Sequence, residues 1–121
     1  GLRGKETIAE VAEGDMYNPW LSVLKSGTGT LKYNGVWNLF DQILLSPNLL
    51  VKNAGKDYQA AVMKDCTSLK YYNHQIFRRD YLFQTEGKYK GNPKRTHAGG
   101  QWLDGFSDHL PVVVYVVKEV K

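Results

Sequence analysis

The stretch Gly105–Lys118, GFSDHLPVVVYVVK, joins a short polar turn to a run of branched apolar residues near the end of the chain. The run Leu110–Val117 is almost continuously apolar, which predicts a central β-strand covered on both faces. Asp108 and His109 lie just before it, where a loop meets the end of a strand and where functional side chains are commonly found. We therefore expect a layered fold in which the strand holds this Asp–His pair rigidly.

The segments that precede this strand predict a mixture of helix and sheet. Asn18 is a typical helix cap and Pro19 takes the first helical position, so the apolar residues that follow predict a short helix that ends before Gly27 and Gly29. Asn34–Gly35 lies between two apolar runs and predicts a β-hairpin, whose second strand is expected to cover Val36–Leu45. Tyr58–Asp65 lies between predicted strands and is predicted to be a strand as well. The predicted fold class is α+β, with a mainly antiparallel sheet.

Length and composition indicate a single unit, residues 1–121. The chain has 42% hydrophobic residues, enough to bury a core of its own. Its net charge of +4 favours phosphate-bearing partners without specifying one. Cys66 is the single cysteine, which excludes an intramolecular disulfide and a cysteine-based zinc site. No apolar run approaches the roughly 18 residues that a membrane-spanning helix needs.

The Asp–His pair before the last strand has two interpretations. Asp108 offers the hard oxygen that divalent cations prefer, and His109 would then face a phosphate or a water molecule. In the alternative, Asp108 caps a turn and His109 is a half-buried polar residue without a chemical role.

A second carboxylate, Asp41, interrupts the apolar segment WNLFDQILLS. Burying a carboxylate in such a strand is unfavourable unless a charged or hydrogen-bonding group meets it. An imidazole suits this role, because a carboxylate that accepts from one ring nitrogen fixes the tautomer and raises the basicity of the other nitrogen. Among the three histidines, His109 lies at the head of a strand predicted to share the sheet with Asp41. The alternative is an edge-strand carboxylate that points to water.

The segment Gly87–Gly100, GKYKGNPKRTHAGG, predicts a basic loop. Lys94 and Arg95 are candidate substrate-binding residues because they can hold phosphates. Tyr89 or Trp102 could stack on a base, and Trp37 and Trp102 could line the cleft. The alternatives, which composition alone favours, are a solvated loop and aromatic side chains that belong to the core.

Two ordered motifs resemble the C-terminal half of the endonuclease/exonuclease/phosphatase superfamily of hydrolases. Ser107–His109 and Pro111 match its Ser-Asp-His-x-Pro motif before a final strand, and Phe40–Ser46 matches an earlier motif in which an Asp precedes an aliphatic run that ends in Ser. The segments LKYNGVWNLFDQ and GNPKRT are similar to a bacterial branch of the family whose substrate is unproven. The resemblance covers most of the chain from Tyr17 onward.

This resemblance implies a four-layered α/β sandwich that hydrolyses phosphate esters with Mg²⁺ or Mn²⁺. By matched position, Asp108 would bind the metal ion or its water. His109 would contact the scissile phosphate or transfer a proton, and Asp41 would orient His109. The substrate would be a phosphoester, with nucleic acid among the candidates.

The family also uses residues that have no match here: an early Asn, a metal-binding Glu, a mid-chain Tyr or His, and a Gly-Asp-x-Asn motif. The resemblance therefore implies that the chain is the C-terminal half of a larger protein and has little activity alone. We expect an uncovered apolar sheet face and self-association through it. Two alternatives stay open: a non-catalytic module that contacts nucleic acid through Lys88–His97, and a self-contained interaction domain whose Asp–His pair is structural.

Overall fold

The computed structural model of the chain describes residues 4–98 and 100–120, which form short helices and strands. In chain order the elements are α1 (Trp20–Lys25), β1 (Leu31–Tyr33), β2 (Val36–Asn38), α2 (Tyr58–Lys64), β3 (Lys70–Ile76), β4 (His97–Ala98), β5 (Gln101–Trp102) and β6 (Val112–Val117). Single 3₁₀ turns occur at Ile8–Glu10, Pro47–Leu49 and Asp80–Leu82. Within the described residues the strands pair as β1–β2, β3–β6 and β4–β5. The fold is mixed α+β, as predicted, while the four-layered sandwich stays a prediction.

The hairpin of β1 and β2 forms at Asn34–Gly35, as the sequence predicted. Both turn residues have positive φ, 50° for Asn34 and 78° for Gly35, as a two-residue turn of this twist requires. The turn fixes an antiparallel register in which Tyr33 pairs with Val36. This hairpin is the rigid element on which the candidate site is built.

The predicted extension of the second hairpin strand to Leu45 is wrong, because β2 ends at Asn38. Beyond it, the backbone N–H groups of Phe40 and Asp41 point to the side-chain oxygen of Thr30 rather than to a neighbouring strand. The apolar pattern of this segment reflects burial of individual side chains in an irregular path. Asp41 consequently lies in coil and not in a strand.

The short helix predicted after Asn18 is confirmed as α1, which begins at Trp20, one residue after the predicted start at Pro19. The Asn18 side chain accepts a hydrogen bond from the Trp20 N–H at 3.0 Å, which satisfies one of the unpaired donors of the first turn. Trp20 is fully buried, and its indole N–H donates to the Ile43 carbonyl at 3.0 Å. The start of this helix is therefore tied to a distant segment of the chain.

The predicted strand over Tyr58–Asp65 is wrong, because these residues form helix α2. The Asp57 carboxylate caps it by accepting from the Ala60 N–H at 3.1 Å, and the Ala-Ala pair in its first turns favours helix. The prediction relied on the neighbours of the segment and overlooked its cap.

None of the helices in the described residues has the length and apolar character that crossing a membrane requires.

Contacts between residues divide the chain into two units. The first contains the residues up to Ser22, Gln42–Gln75 and the residues from Val113 onward, and the second contains Val23–Asp41 and Ile76–Val112. The first unit holds a core formed by Val11, Leu45, Leu50 and Tyr71. All the residues predicted to carry chemistry belong to the second unit.

The expectation that the last strand is covered on both faces is wrong. Tyr115 and Val116 of β6 are 43% and 42% exposed, and β3 is the strand that pairs with β6 within the described residues. Consecutive residues of a strand point to opposite faces, so each face of β6 presents one of these side chains to solvent. An apolar run indicates a strand but does not determine what covers it.

The basic loop predicted over Gly87–Gly100 is partly ordered by strand pairing. Its first part is a series of turns, in which the Lys90 N–H donates to the Gly87 carbonyl at 3.2 Å. Its last part belongs to the β4–β5 hairpin, which pairs His97 with Trp102. Gly99 lies outside the described residues.

The cap of α2 generates a stability prediction. Asp57→Ala should lower the free energy of unfolding by about 1 kcal/mol, because the N–H of Ala60 loses its partner. The matched control is Lys56→Ala, which removes the adjacent exposed side chain and should change the stability little. Urea unfolding followed by circular dichroism measures both variants, and equal stabilities would contradict the capping role.

Candidate active site

The candidate site lies in the second unit, where three segments meet. Thr30 precedes β1, Phe40–Asp41 follows β2, and Ser107–Leu110 forms the turn before β6. The segments are far apart in sequence, so tertiary hydrogen bonds must align them. The alignment starts at Thr30.

Thr30 is fully buried and uses both its backbone and its side chain to join the other two segments. Its N–H donates to the Asn38 carbonyl at 2.8 Å, and its carbonyl accepts from the Leu110 N–H at 2.7 Å. Its hydroxyl oxygen lies 3.3 Å from the Phe40 nitrogen and 3.4 Å from the Asp41 nitrogen, and it accepts from both. One buried threonine thus fixes the backbone on both sides of the candidate site.

The carboxylate of Asp41 contacts the imidazole of His109. The distance from Asp41 Oδ2 to His109 Nδ1 is 2.6 Å, which is short for a hydrogen bond that involves nitrogen and is typical of a charge-assisted one. The two side chains remain 38% and 36% exposed respectively. Asp41 is therefore only partly buried, and its carboxylate meets an imidazole.

The surroundings of Asp41 keep its carboxyl group ionised. Partial burial by itself raises the pKa of Asp41, but hydrogen bonds from the Thr30 hydroxyl and from His109, with the charge of the protonated imidazole, outweigh it and lower this pKa below its ordinary value. An ionised carboxylate can only accept hydrogen bonds. The proton of a neutral His109 therefore lies on Nδ1, and Nε2 carries the free lone pair.

Several hydrogen bonds hold the backbone around His109. The His109 N–H donates to the Ser107 hydroxyl at 3.1 Å, and the side chain of Leu110 is buried. The Pro111 carbonyl accepts from the Phe77 N–H at 2.8 Å. Asp108 lies inside this braced turn and is half-buried. The Ser-Asp-His-x-Pro sequence thus forms a turn with little freedom to move.

Trp37, a predicted substrate-binding residue, lies against cations of its own unit. The Arg78 guanidinium carbon is 5.0 Å and the Lys32 ammonium nitrogen 5.6 Å from the ring centroid, distances typical of cation–π contacts. Phe83 packs edge-on against the same ring at 6.5 Å. Arg78 also donates to the Thr28 hydroxyl at 2.9 Å. The ring of Trp37 therefore orients two cations, and its contact with substrate stays a prediction.

Lys94 and Arg95, the predicted phosphate ligands, lie on a segment that is pinned at both residues. The Lys94 N–H donates to the Leu82 carbonyl at 2.7 Å, and the Arg95 carbonyl accepts from the Gly105 N–H at 3.1 Å. A side chain at position 105 would overlap the carbonyl groups of Lys94 and Arg95, so this crossing requires a glycine. The Arg95 side chain is exposed and lines a surface pocket.

Trp102 lies on the short hairpin next to this segment. It is 61% exposed, and His97 packs edge-on against it with 4.9 Å between the ring centroids. The pair forms a small aromatic surface that faces solvent. Whether Trp102 contacts a substrate stays a prediction.

Sequence reasoning missed Thr30, although a signal for it existed. The two-residue turn at Asn34–Gly35 fixes the hairpin register, which pairs Leu31 with Asn38. Counting one residue further places Thr30 beside Leu39 and hence close to Asp41. The contact of Thr30 with Leu110 carried no such signal, because nothing in the sequence links residues so far apart.

The side chains for a metal ion are present only in part. Among residues 4–98 and 100–120, no cluster of three or more His, Cys, Asp or Glu side chains is arranged to hold a metal ion. The Asp41 carboxylate is engaged by Thr30 and His109. Asp108 offers one hard oxygen ligand, and Mg²⁺ is often bound through one or two carboxylates together with substrate phosphates and water. Asp108 thus fits one position of such a site.

Comparison with known proteins assigns the chain to a family. A model of the endonuclease/exonuclease/phosphatase family matches residues 1–118. The chain belongs to this family. Its members are phosphoester hydrolases of the nuclease and phosphatase type, so the family is enzymatic. No curated protein and no solved structure shows significant similarity to the chain.

The buried hydroxyl of Thr30 generates a prediction that separates hydrogen bonding from packing. Thr30→Val keeps the shape but leaves the N–H groups of Phe40 and Asp41 without an acceptor, so it should lower the free energy of unfolding by about 1–3 kcal/mol. It should also raise the pKa of Asp41 toward the ordinary value, which a carboxyl-carbon NMR titration measures.

The matched control is Thr30→Ser, which keeps the hydroxyl and loses one methyl group. It should destabilise by about 1 kcal/mol and leave the pKa of Asp41 low. If the valine and serine variants were equally stable and gave the same Asp41 titration, the hydroxyl would have no role in holding the site.

Proposed function

We propose that the chain supplies the Asp41–His109 pair and Asp108 to the active site of a divalent-metal-dependent phosphoester hydrolase. The observation that carries this proposal is the 2.6 Å contact between the Asp41 carboxylate and His109 Nδ1. Membership of a family of phosphoester hydrolases supports it. The braced turn at Ser107–Leu110 supports it as well, because phosphoryl transfer depends on fixed positions of the reacting groups.

His109 is proposed to act on the scissile phosphate through Nε2. With Nδ1–H donated to Asp41, a neutral imidazole presents a lone pair that can accept a proton, and a protonated one presents an N–H that can stabilise a phosphate oxygen. Asp41 is a positioning residue in this scheme. It sets the tautomer and the orientation of the ring without touching the substrate.

Asp108 is proposed to bind the divalent cation, Mg²⁺ or Mn²⁺. Such an ion neutralises charge on the phosphate and lowers the pKa of bound water. Asp108 directly precedes His109, so the backbone contacts that fix His109 fix the carboxylate too.

The chain by itself is proposed to hydrolyse phosphoesters slowly or not at all. Hydrolysis needs a bound metal, an oriented water and stabilisation of developing charge at the same time. The described residues supply one uncommitted carboxylate and one oriented imidazole at the site. This part of the machinery is insufficient without further metal ligands.

A second candidate function is nucleic-acid binding without catalysis. The exposed basic residues of Lys88–Arg95 and the exposed ring of Trp102 favour it. It would give salt-dependent binding that needs neither Asp108 nor a divalent ion. Loss of His109 would then leave the function intact.

The hydrolase proposal predicts the effects of three substitutions on turnover by the complete gene product. With a chromogenic phosphodiester and Mg²⁺ or Mn²⁺, His109→Ala should reduce kcat/KM at least about 100-fold, because it removes a group that acts on the phosphate. Asp41→Asn should reduce it about 10- to 100-fold and shift the pH–rate profile, since the tautomer of His109 is no longer fixed. The control Lys56→Ala, at an exposed residue of the first unit, should leave turnover unchanged.

A loss of folded protein would lower the rate equally at every pH, so the shifted profile distinguishes a positioning role for Asp41 from a structural one. Full turnover by the His109 variant would exclude the proposed mechanism.

The exposed faces of β6 lead us to propose that the chain self-associates through this strand. Tyr115 and Val116 present apolar surface on the two faces, and burying such surface favours association. Val116→Lys should shift the chain toward monomer in sedimentation velocity at tens of micromolar. The control Val36→Lys adds the same charge at an exposed hairpin position, 61% exposed, and should not. A monomeric wild type would refute self-association.

A further inference from the structure

A surface pocket of about 430 Å³ lies in the second unit, outside the Asp41–His109 contact. Its walls come from the tip of the β1–β2 hairpin and from the segment between Gln84 and Arg95. The volume lies within the range of roughly 300–1,000 Å³ that small-molecule pockets occupy. The pocket is therefore large enough to hold a ligand.

The charge of the pocket is positive. Lys32 of the hairpin and Arg95 of the other lining segment both line it. Of the described residues that line it, none is acidic. The Lys32 ammonium group also lies over the ring of Trp37, which restricts its position. Two cationic residues in a lining without an acidic one favour an anionic ligand.

The walls also carry two exposed aromatic rings. Tyr33 is 64% and Tyr89 58% exposed, and both line the pocket. A single exposed tyrosine requires no explanation, but two in one cationic pocket offer stacking surfaces beside the charges. This combination is typical of sites that bind nucleic-acid strands, in which bases stack on aromatic rings and cations follow the phosphates.

Amide side chains complete the lining. Gln84 and Asn92 both line the pocket, and each amide offers a donor and an acceptor, which is what the edge of an unpaired base requires. A sugar phosphate or an inositol phosphate would use the cations but has no planar ring to occupy a stacking surface. The lining therefore favours a nucleotide.

The pocket wall is held in place by backbone hydrogen bonds. The Gln84 N–H donates to the Asn92 carbonyl at 2.8 Å, and the Asn92 N–H donates to the Tyr89 carbonyl at 3.0 Å. Phe83 and Pro93 form an antiparallel bridge directly beside this contact. A preformed wall reduces the entropy lost when a ligand binds.

Strand β1 connects the pocket to the candidate active site. Thr30, which holds Asp41, lies three residues before Tyr33, a span of about 10 Å at the rise of a β-strand. Nucleotides stacked in one strand are about 3.4 Å apart. A nucleic-acid strand whose scissile phosphate lies at His109 could therefore place a nucleotide only a few positions away in the pocket. A free mononucleotide could not occupy both places.

We propose that this pocket, lined by Lys32, Tyr33, Tyr89 and Arg95, binds an unpaired nucleotide that flanks the scissile phosphate of a nucleic-acid strand. The inference rests on the proposed function and names its substrate class. The cations hold the phosphate of this nucleotide, and the tyrosine rings stack on its base. Paired bases bury their faces in the helix, so the bound segment is single-stranded.

Fluorescence anisotropy in the presence of EDTA tests this binding without turnover. The probes are a labelled ten-residue oligothymidylate and an abasic oligomer of the same length and charge. The wild type should bind the oligothymidylate more tightly. Tyr33→Ala and Tyr89→Ala should each weaken that binding about 5- to 100-fold, given the energy of stacking one base on an aromatic ring, and leave binding of the abasic oligomer unchanged. The control Tyr81→Ala removes a tyrosine that is 60% exposed and packs on Phe106, and it should change neither.

The salt dependence tests the cations separately. Lys32→Ala and Arg95→Ala should each reduce the slope of log K against log salt concentration by about 0.7, the value for one phosphate contact in a single strand. The exposed Lys56, in the first unit, provides a control of the same type. Lys56→Ala should leave the slope unchanged.

Equal affinity of the wild type for the two oligomers, or equal effects of Tyr33→Ala and Tyr81→Ala, would overturn the inference. Competition with inositol hexakisphosphate gives a further test. If it displaced the oligothymidylate at a concentration at which an abasic oligomer of equal charge had no effect, the inference would also be overturned. Loss of turnover in His109→Ala, together with a wild type that shows no tyrosine-dependent binding, would leave the hydrolase proposal intact and remove the nucleotide pocket. Tyrosine-dependent binding by the wild type, together with full turnover by His109→Ala, would keep the pocket and exclude the hydrolase role.

Discussion

The hydrogen bonds of buried Thr30 join the two segments on which the candidate site depends. Its hydroxyl receives the N–H groups of Phe40 and Asp41, and its carbonyl receives the N–H of Leu110. A carboxylate and an imidazole from distant parts of the chain meet only if both backbones are fixed. Surface ion pairs alone rarely supply such order, because their net contribution is about 0–1 kcal/mol. We conclude that the Asp41–His109 contact depends on the hydrogen bonds of the buried threonine as much as on the attraction between the carboxylate and the imidazole.

The sequence predicted the features that depend on local chemistry. The hairpin at Asn34–Gly35 follows from two residues that tolerate positive φ, and the start of α1 follows from the capping side chain of Asn18. The partner of Asp41 followed from a different argument, the unfavourable burial of an unpaired carboxylate. Asp41 is partly exposed, so an unpaired carboxylate there would cost less than a fully buried one, yet the contact with His109 is present.

The features that depend on tertiary context were harder to predict. Tyr58–Lys64 has a pattern that both helix and strand accept, and the Asp57 cap decides in favour of helix. The apolar run in β6 indicated a strand, but its coverage depends on the elements that pack against it. The irregular path after Asn38 depends on a threonine hydroxyl that takes the place of a neighbouring strand. No periodicity in the sequence indicates that a side-chain hydroxyl will replace a neighbouring strand as the hydrogen-bond acceptor.

Strand β1 gives the second unit a simple organisation. Thr30, the residue before this strand, holds the backbone of Asp41 and of Leu110 next to His109. Tyr33, at the far end of the strand, lines the cationic pocket. A hydrolase could use the two places on one strand of nucleic acid, whereas a binding module would need the pocket alone. The effect of His109→Ala on turnover separates these cases, because a binding module does not need His109.

The position of the proton on the His109 ring shows whether Asp41 orients this imidazole. Long-range proton–nitrogen NMR correlations, recorded while the ring is neutral, distinguish protonated Nδ1 from protonated Nε2. We expect the wild type to hold its proton on Nδ1 and Asp41→Asn to lose this preference, whereas the control Asp108→Asn should retain it. A wild-type ring protonated on Nε2, or a mixture that Asp41→Asn does not change, would contradict the claim that Asp41 orients His109.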